Sequence, residues 1–288
     1  MAGSLRSNST NHNHHYSFVY RMMSSPVVAG RVVILVESGD DKRAYDPLFI
    51  SSAVMIQPAP EDGVRGCAFV ESVTEAILAQ KPSAWIIGIR DADYTPWMPG
   101  YTCPQNVFRT EERDMEMLLL RSEKVRADLD KVKPGASAKC EWIINNIGVP
   151  RGRMRLLNDV LDLQCSFTEN AKISNLWDGN ILRPDWSTYI VTNFVSNCAG
   201  RYRSRNFNAS DYHTELSVRH LSDVEWYKIC QGHDVMHALM YELNDSHVDV
   251  DEIVNQMRKS YRVSDFHATR LYDDLRQFAN GRGWQILK

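Results

Sequence analysis

Val32-Val33-Ile34-Leu35-Val36-Glu37 and, further along, Trp85-Ile86-Ile87-Gly88-Ile89-Arg90-Asp91-Ala92-Asp93 set the architecture of this chain. Each begins as an apolar run and ends on acid. A run of β-branched and aliphatic residues without polar alternation is the mark of a strand buried on both faces, as in parallel sheets. Between the two runs, residues 40–49 place Ala44, Tyr45, Leu48 and Phe49 at roughly helical spacing, with Pro47 keeping that helix short. Residues 52–56 read as a second strand. Residues 68–80 put Val70, Val73 and Ile77 on one helical face before Lys81 and Pro82 end it, and residues 84–89 make the third strand. Strands alternating with helices pair in parallel through right-handed crossovers, and the sites of such sheets lie beyond the carboxyl ends of the strands.

Glu37 and Asp91 fall at that edge, and Asp93 points the same way as Asp91 where the chain stays extended. Asp is also a common turn former after a strand, which explains the 91/93 pair equally well when it is taken alone. Glu37 at a neighbouring strand end tips the reading toward a shared cation. Magnesium prefers carboxylate oxygens, keeps several waters and uses one or two protein carboxylates together with substrate phosphates. Like-charged acids brought together would otherwise repel. A further acidic group follows a short strand at 106–110: residues 111–131 read as one long helix with Met115, Leu118, Leu119 and Val125 on its apolar face. Asp114 and Glu116 lie in its first turns. Favourable interaction with the helix dipole covers Glu111 and Glu112, whereas Glu116 stands far enough in to suggest a metal role.

These residues resemble a known family. The V-E-S-G-D-D run containing Glu37, the R-D-A-D-Y of 90–94 and the T-E-E-R-D-M-E of 110–116 are similar to the Toprim fold, in particular to the overcoming-lysogenization-defect nucleases and the standalone Toprim nucleases of bacterial antiphage systems. The resemblance covers residues 30–130. It implies a Toprim-like parallel sheet with flanking helices and a metal-dependent cleavage of phosphodiester bonds in nucleic acid, with antiviral defence as the setting. Glu37 is then a metal ligand or general base, Asp91 and Asp93 are ligands, and Asp114 with Glu116 support a second ion, magnesium or manganese. Two ions activate a water and stabilise the leaving oxygen of an in-line displacement. The departure from the family is the lack of a lysine beside these acids, although Lys42, Arg90 and Arg113 are near in sequence. The resemblance also allows a regulatory protein partner and a homo-oligomer.

Outside this region, residues 1–29 are rich in Ser, Asn, His and Gly and contain no Asp or Glu, which reads as a flexible tail whose His12, His14 and His15 are solvated. The Toprim-like domain is expected over 30–131 and a mainly helical C-terminal domain over 132–288, with Pro134 and Gly135 near the boundary and helical spacing over 222–243, 250–260 and 265–280. Arg151, Arg153 and Arg155, and Arg201, Arg203 and Arg205 with Tyr202 and Phe207, suit phosphate contact and base stacking, and equally suit an exposed strand edge. His233 and His237 stand at i and i+4 in G-H-D-V-M-H, but no H-E-x-x-H is present, and the segment resembles a helix start near the end of the same nuclease family.

Composition bounds these readings. A chain of 288 residues with 43% hydrophobic content can bury a substantial core, and a formal net charge of −3 argues against wholesale polyanion binding. No apolar run approaches the roughly 20 residues needed to span a bilayer, and no export signal opens the chain, so no membrane association and a cytoplasmic setting are expected. The six cysteines, at 67, 103, 140, 165, 198 and 230, contain no C-x-x-C pair and read as reduced thiols. The rival to a nuclease is a non-catalytic sensor or protein-interaction subunit with a structural acidic cluster. A topoisomerase-like enzyme would need a tyrosine nucleophile on a separate domain, and no tyrosine stands in such a setting.

Overall fold

The computed structural model describes residues 16–288 apart from 27, 61–63, 99, 168–171, 180, 200–206 and 246. The chain divides into two compact units, one formed by residues up to Ala92 with Gly100–Glu111 and Arg262–Lys288, the other by Asp93–Pro99 and Glu112–Tyr261. No described helix is long and apolar enough to cross a membrane.

The first unit holds the parallel sheet. Residues 16–23, which composition assigns to a flexible tail, form a helix, α1. Tyr16, Val19, Met22 and Met23 recur at helical spacing, and Val19 joins Val28 in the core. Strand β1 (Val32–Val36) is followed by α2 (Gly39–Tyr45) and a 3-10 turn at Asp46–Leu48 that carries Pro47. Strand β2 (Val54–Pro58) starts two residues later than the spacing predicts; α3 (Gly66–Gln80), β3 (Ile86–Arg90) and β4 (Val107–Arg109) complete the βαβ alternation. The order is β2-β1-β3-β4, all parallel, with Val33 opposite both Met55 and Ile86, and Ile89 opposite Phe108. Every residue of β1 and β3 is buried, which is why neither run alternates with polar residues. Val33 and Leu35 share a core with Phe69, Val70, Val73 and Ile77 of α3. Gly88 permits the closeness of α3 to β3, since a Cβ there would stand 2.6 Å from Val70 Cγ1.

The second unit is mainly helical. In place of one helix over 111–131 there are α4 (Met115–Arg121), α5 (Glu123–Asp128) and a 3-10 turn at Leu129–Lys131. The break is Ser122, whose backbone leaves the helical region at ψ 122° while its side chain accepts from the Val125 N–H and caps α5. Helix α6 (Ala136–Ile143) runs through a π turn at Ile144–Gly148 into α7 (Val149–Val160). A short hairpin pairs β5 (Trp177–Asp178) with β6 (Ile181–Leu182), and α8 (Trp186–Ala199) and α9 (Ala209–Val218) follow. The expected helix over 222–243 is divided into a turn, α10 (Trp226–Ile229) and α11 (Gly232–Leu243); α12 (Val250–Ser260) lies where its spacing predicts. Gly152 in α7 has no room for a side chain, because a Cβ would come within 2.2 Å of the Ile229 carbonyl oxygen.

The last two helices, α13 (Val263–His267) and α14 (Arg270–Asn280), belong to the sheet-bearing unit. Phe266 packs with Tyr45 and Phe49 at centroid separations of 6.1 to 6.4 Å, and the Ile50 N–H donates to the Ile286 carbonyl at 2.9 Å. The fold is thus α/β, a parallel sheet flanked by helices, with a helical C-terminal region.

Candidate functional site

In the sheet-bearing unit the two neighbours of β1 lie on opposite sides of it, and it is beyond the carboxyl ends of the strands at such a reversal of strand order that open parallel sheets place their sites. Glu37 is the first residue after β1 and Asp91 the first after β3. They are joined: the Asp91 N–H donates to Glu37 Oε1 at 2.9 Å. The other carboxylate oxygen faces Gly66, the first residue of α3, where φ is +61° and an added Cβ would lie 3.3 Å from Glu37 Oε2. Glycine suits that residue on both counts, φ and space. Ser38 turns the chain into α2 by accepting the Asp41 N–H and donating to the Asp41 carboxylate at 2.9 Å.

Arg90 holds the other end of the Asp91 peptide. Its Nε donates to the Asp91 carbonyl at 2.8 Å, and its guanidinium is bound by Glu71 and by Tyr101 at 2.9 Å. The backbone of Asp91 is therefore fixed at both its N–H and its C=O. Glu71 and Tyr101 were not legible as site residues, because they meet Arg90 only when α3 and the loop before β4 pack on the sheet. Lys42, a candidate for the missing cation, is paired with Asp46 at 2.5 Å.

Asp93, Asp114 and Glu116 belong to the second unit. The chain does not stay extended from Asp91, since Asp93 takes φ +49°, a left-handed backbone that Asp tolerates better than most residues. The alternation that would aim Asp91 and Asp93 alike therefore does not apply. The Asp93 carboxylate is paired with Arg113, whose guanidinium also lies over the Tyr94 ring at 4.3 Å. Asp114 is the N-cap of α4: Oδ1 accepts the Met117 N–H at 3.1 Å, and Oδ2 accepts the Gly232 N–H, at the start of α11, at 2.8 Å. Burial and the charge of Glu116 push the Asp114 carboxyl up to about 7, against the pull of Arg113 and the two N–H donors. Because α4 begins at Met115 and not at 111, Glu116 stands in its first turn, where the dipole alone accounts for an acid. Glu112, by contrast, is fully buried and paired with Arg121 at 2.5 Å.

The basic run over 151–155 is turned largely inward. Lying on helix α7, Arg151 and Arg155 are one turn apart and both clasp Asp234 of α11, at 3.1 and 2.9 Å. Arg151 is only 3% exposed, which leaves no surface for a phosphate, and Arg155 also lies over the Phe167 ring at 4.3 Å. Arg153, on another side of the helix, donates to the Leu221 carbonyl. The two guanidiniums hold Asp234 down to about 2 although burial opposes this. Arg201, Arg203 and Arg205, and His12, His14 and His15, lie outside the described residues. His233 and His237 meet on α11 with Nε2 atoms 2.9 Å apart. Among the described residues no group of three or more His, Cys, Asp or Glu side chains is gathered to hold a metal.

The donor set at the sheet edge, two half-buried carboxylates, fits magnesium or manganese bound largely through water and substrate oxygens, and does not fit an all-protein cage. No protein-family model matches the chain, and no curated protein matches it significantly.

Proposed function

We propose that this chain is a Toprim-type, metal-dependent nuclease that hydrolyses phosphodiester bonds of nucleic acid in the cytoplasm. One observation carries the reading: Glu37 and Asp91 stand at the carboxyl ends of adjacent parallel strands, at the reversal of strand order, with the Glu37 carboxylate fixed by the Asp91 N–H. Glu37 and Asp91 are the ligands, and a bound magnesium or manganese ion would supply Lewis-acid charge to a phosphate oxygen and a more acidic water. The Arg90 clamp on the Asp91 carbonyl keeps the Asp91 backbone in register with Glu37. The N-terminus of α3, next to Glu37 and without a side-chain cap, favours a phosphate oxygen through its backbone N–H groups.

Purified Glu37→Gln and Asp91→Asn proteins, shown by circular dichroism to be folded, should cleave single- and double-stranded DNA and RNA about 100-fold or more slowly than the parent in magnesium or manganese. Parent-level cleavage by either variant would overturn the assignment. The second reading, an interaction subunit with structural acids, draws on the fact that Lys42, Arg90 and Arg113 are each paired with an acid of the protein itself. Calorimetric titration separates the two: no heat with either metal and no cleavage of any nucleic acid would favour the subunit.

A further inference from the structure

His233 and His237 are a second constellation with metal chemistry, and the proposed nuclease reaction does not use them. They lie one turn apart on α11, His233 exposed and His237 half-buried, with ring centroids 4.2 Å and Nε2 atoms 2.9 Å apart. Between two neutral imidazoles that gap holds one proton, one ring donating and the other accepting. Metal–imidazole bonds are about 2.0–2.1 Å long, so two nitrogens on one ion stand roughly 2.9 Å apart at the right angle of copper or nickel and roughly 3.3 Å apart at the tetrahedral angle of zinc. The pair is already at the first separation and within about half an ångström of the second.

The helix beneath keeps it there. Asp234, Val235, Met236, Ala238 and Leu239, the residues between and beside the histidines, are all buried, and Asp234 is clasped by Arg151 and Arg155. The backbone carrying the two rings is thus fixed before any ligand arrives, which lowers the entropic cost of binding. We propose that His233 and His237 form a two-imidazole site for a divalent transition ion of the zinc, copper or nickel class. Imidazole nitrogen selects such ions over magnesium, which prefers oxygen. Two protein donors leave the remaining positions to water, so the ion exchanges readily.

His12, His14 and His15 would compete for the same ions, so the test uses full-length protein with all three changed to Asn, as parent and in every variant. Calorimetry with zinc and electron paramagnetic resonance with copper should then report a site with two imidazole nitrogens. His233→Gln or His237→Gln should each weaken zinc binding by about 10- to 100-fold and leave copper with one imidazole nitrogen from the pair. Both positions reach the surface, so the variants should keep the parent's circular dichroism spectrum. Parent-level zinc affinity in either variant, or a parent that binds neither ion, would overturn the proposal.

Discussion

Asp114 and Asp234 are carboxylates buried to nearly the same depth, 8% and 5% exposed, and both engage the first turn of α11, yet one sits at about 7 and the other at about 2. Burial opposes ionisation of both, so depth does not separate them; their partners do. Asp234 has two guanidiniums. Asp114 has two neutral backbone donors and the charge of Glu116 beside it, with Arg113 pulling the other way. A carboxylate matched by full positive charges is a structural fastening, whereas one held among amide dipoles beside a like charge titrates near neutrality, as groups at functional sites do.

The largest expected effect comes from removing the better-matched acid. Asp234→Ala leaves Arg151 and Arg155 facing an empty position in the interior, and denaturant unfolding should show a loss of about 3–5 kcal/mol. A loss under about 1 kcal/mol would mean that water already reaches the pair. Next is Gly232→Ala, at the point where α11 meets Asp114. The new Cβ would stand 2.2 Å from Glu116 Cβ and 2.7 Å from Asp114 Oδ1, so α11 or α4 must shift, at a cost of about 1–3 kcal/mol by the same measurement.

The smallest effect is visible as a slope. Asp114, raised from its ordinary 3.8 to about 7, retains in the native state a proton that the unfolded chain releases. Its contribution to stability is therefore complete below about pH 3.8 and is lost as pH rises through about 7. Asp234 runs the other way, stabilising above its ordinary 3.8 and ceasing to do so as pH falls through about 2. Asp114→Asn should flatten the fall in unfolding free energy between about pH 4 and pH 8, whatever it does to the absolute value. An unchanged slope would show that Asp114 is ionised throughout that range.

The strands were legible because burial on both faces writes itself locally, as unbroken apolar runs in β1 and β3. The acids that end those runs were legible for the same reason, since the end of a parallel strand fixes which edge its next residue occupies. Helix starts were harder to read. The acids at 111 and 112 look like a first turn, but Asp114 supplies the cap and α4 begins at Met115, which changes the meaning of Glu116. The R-x-R-x-R run could be read as an exposed edge or a phosphate contact, and on a helix its first and last arginines instead share a face that turns inward.

Local pattern in this chain specified a parallel sheet and placed Glu37 and Asp91 at its carboxyl edge, because side-chain periodicity and strand polarity are properties of neighbouring residues. Packing assigned the rest. Asp114 depends on an N–H 118 residues away at Gly232, Arg151 on a carboxylate 83 residues away at Asp234, and the core around Phe49 on Phe266. Charge state and orientation follow from such partners, and no local run of sequence contains them.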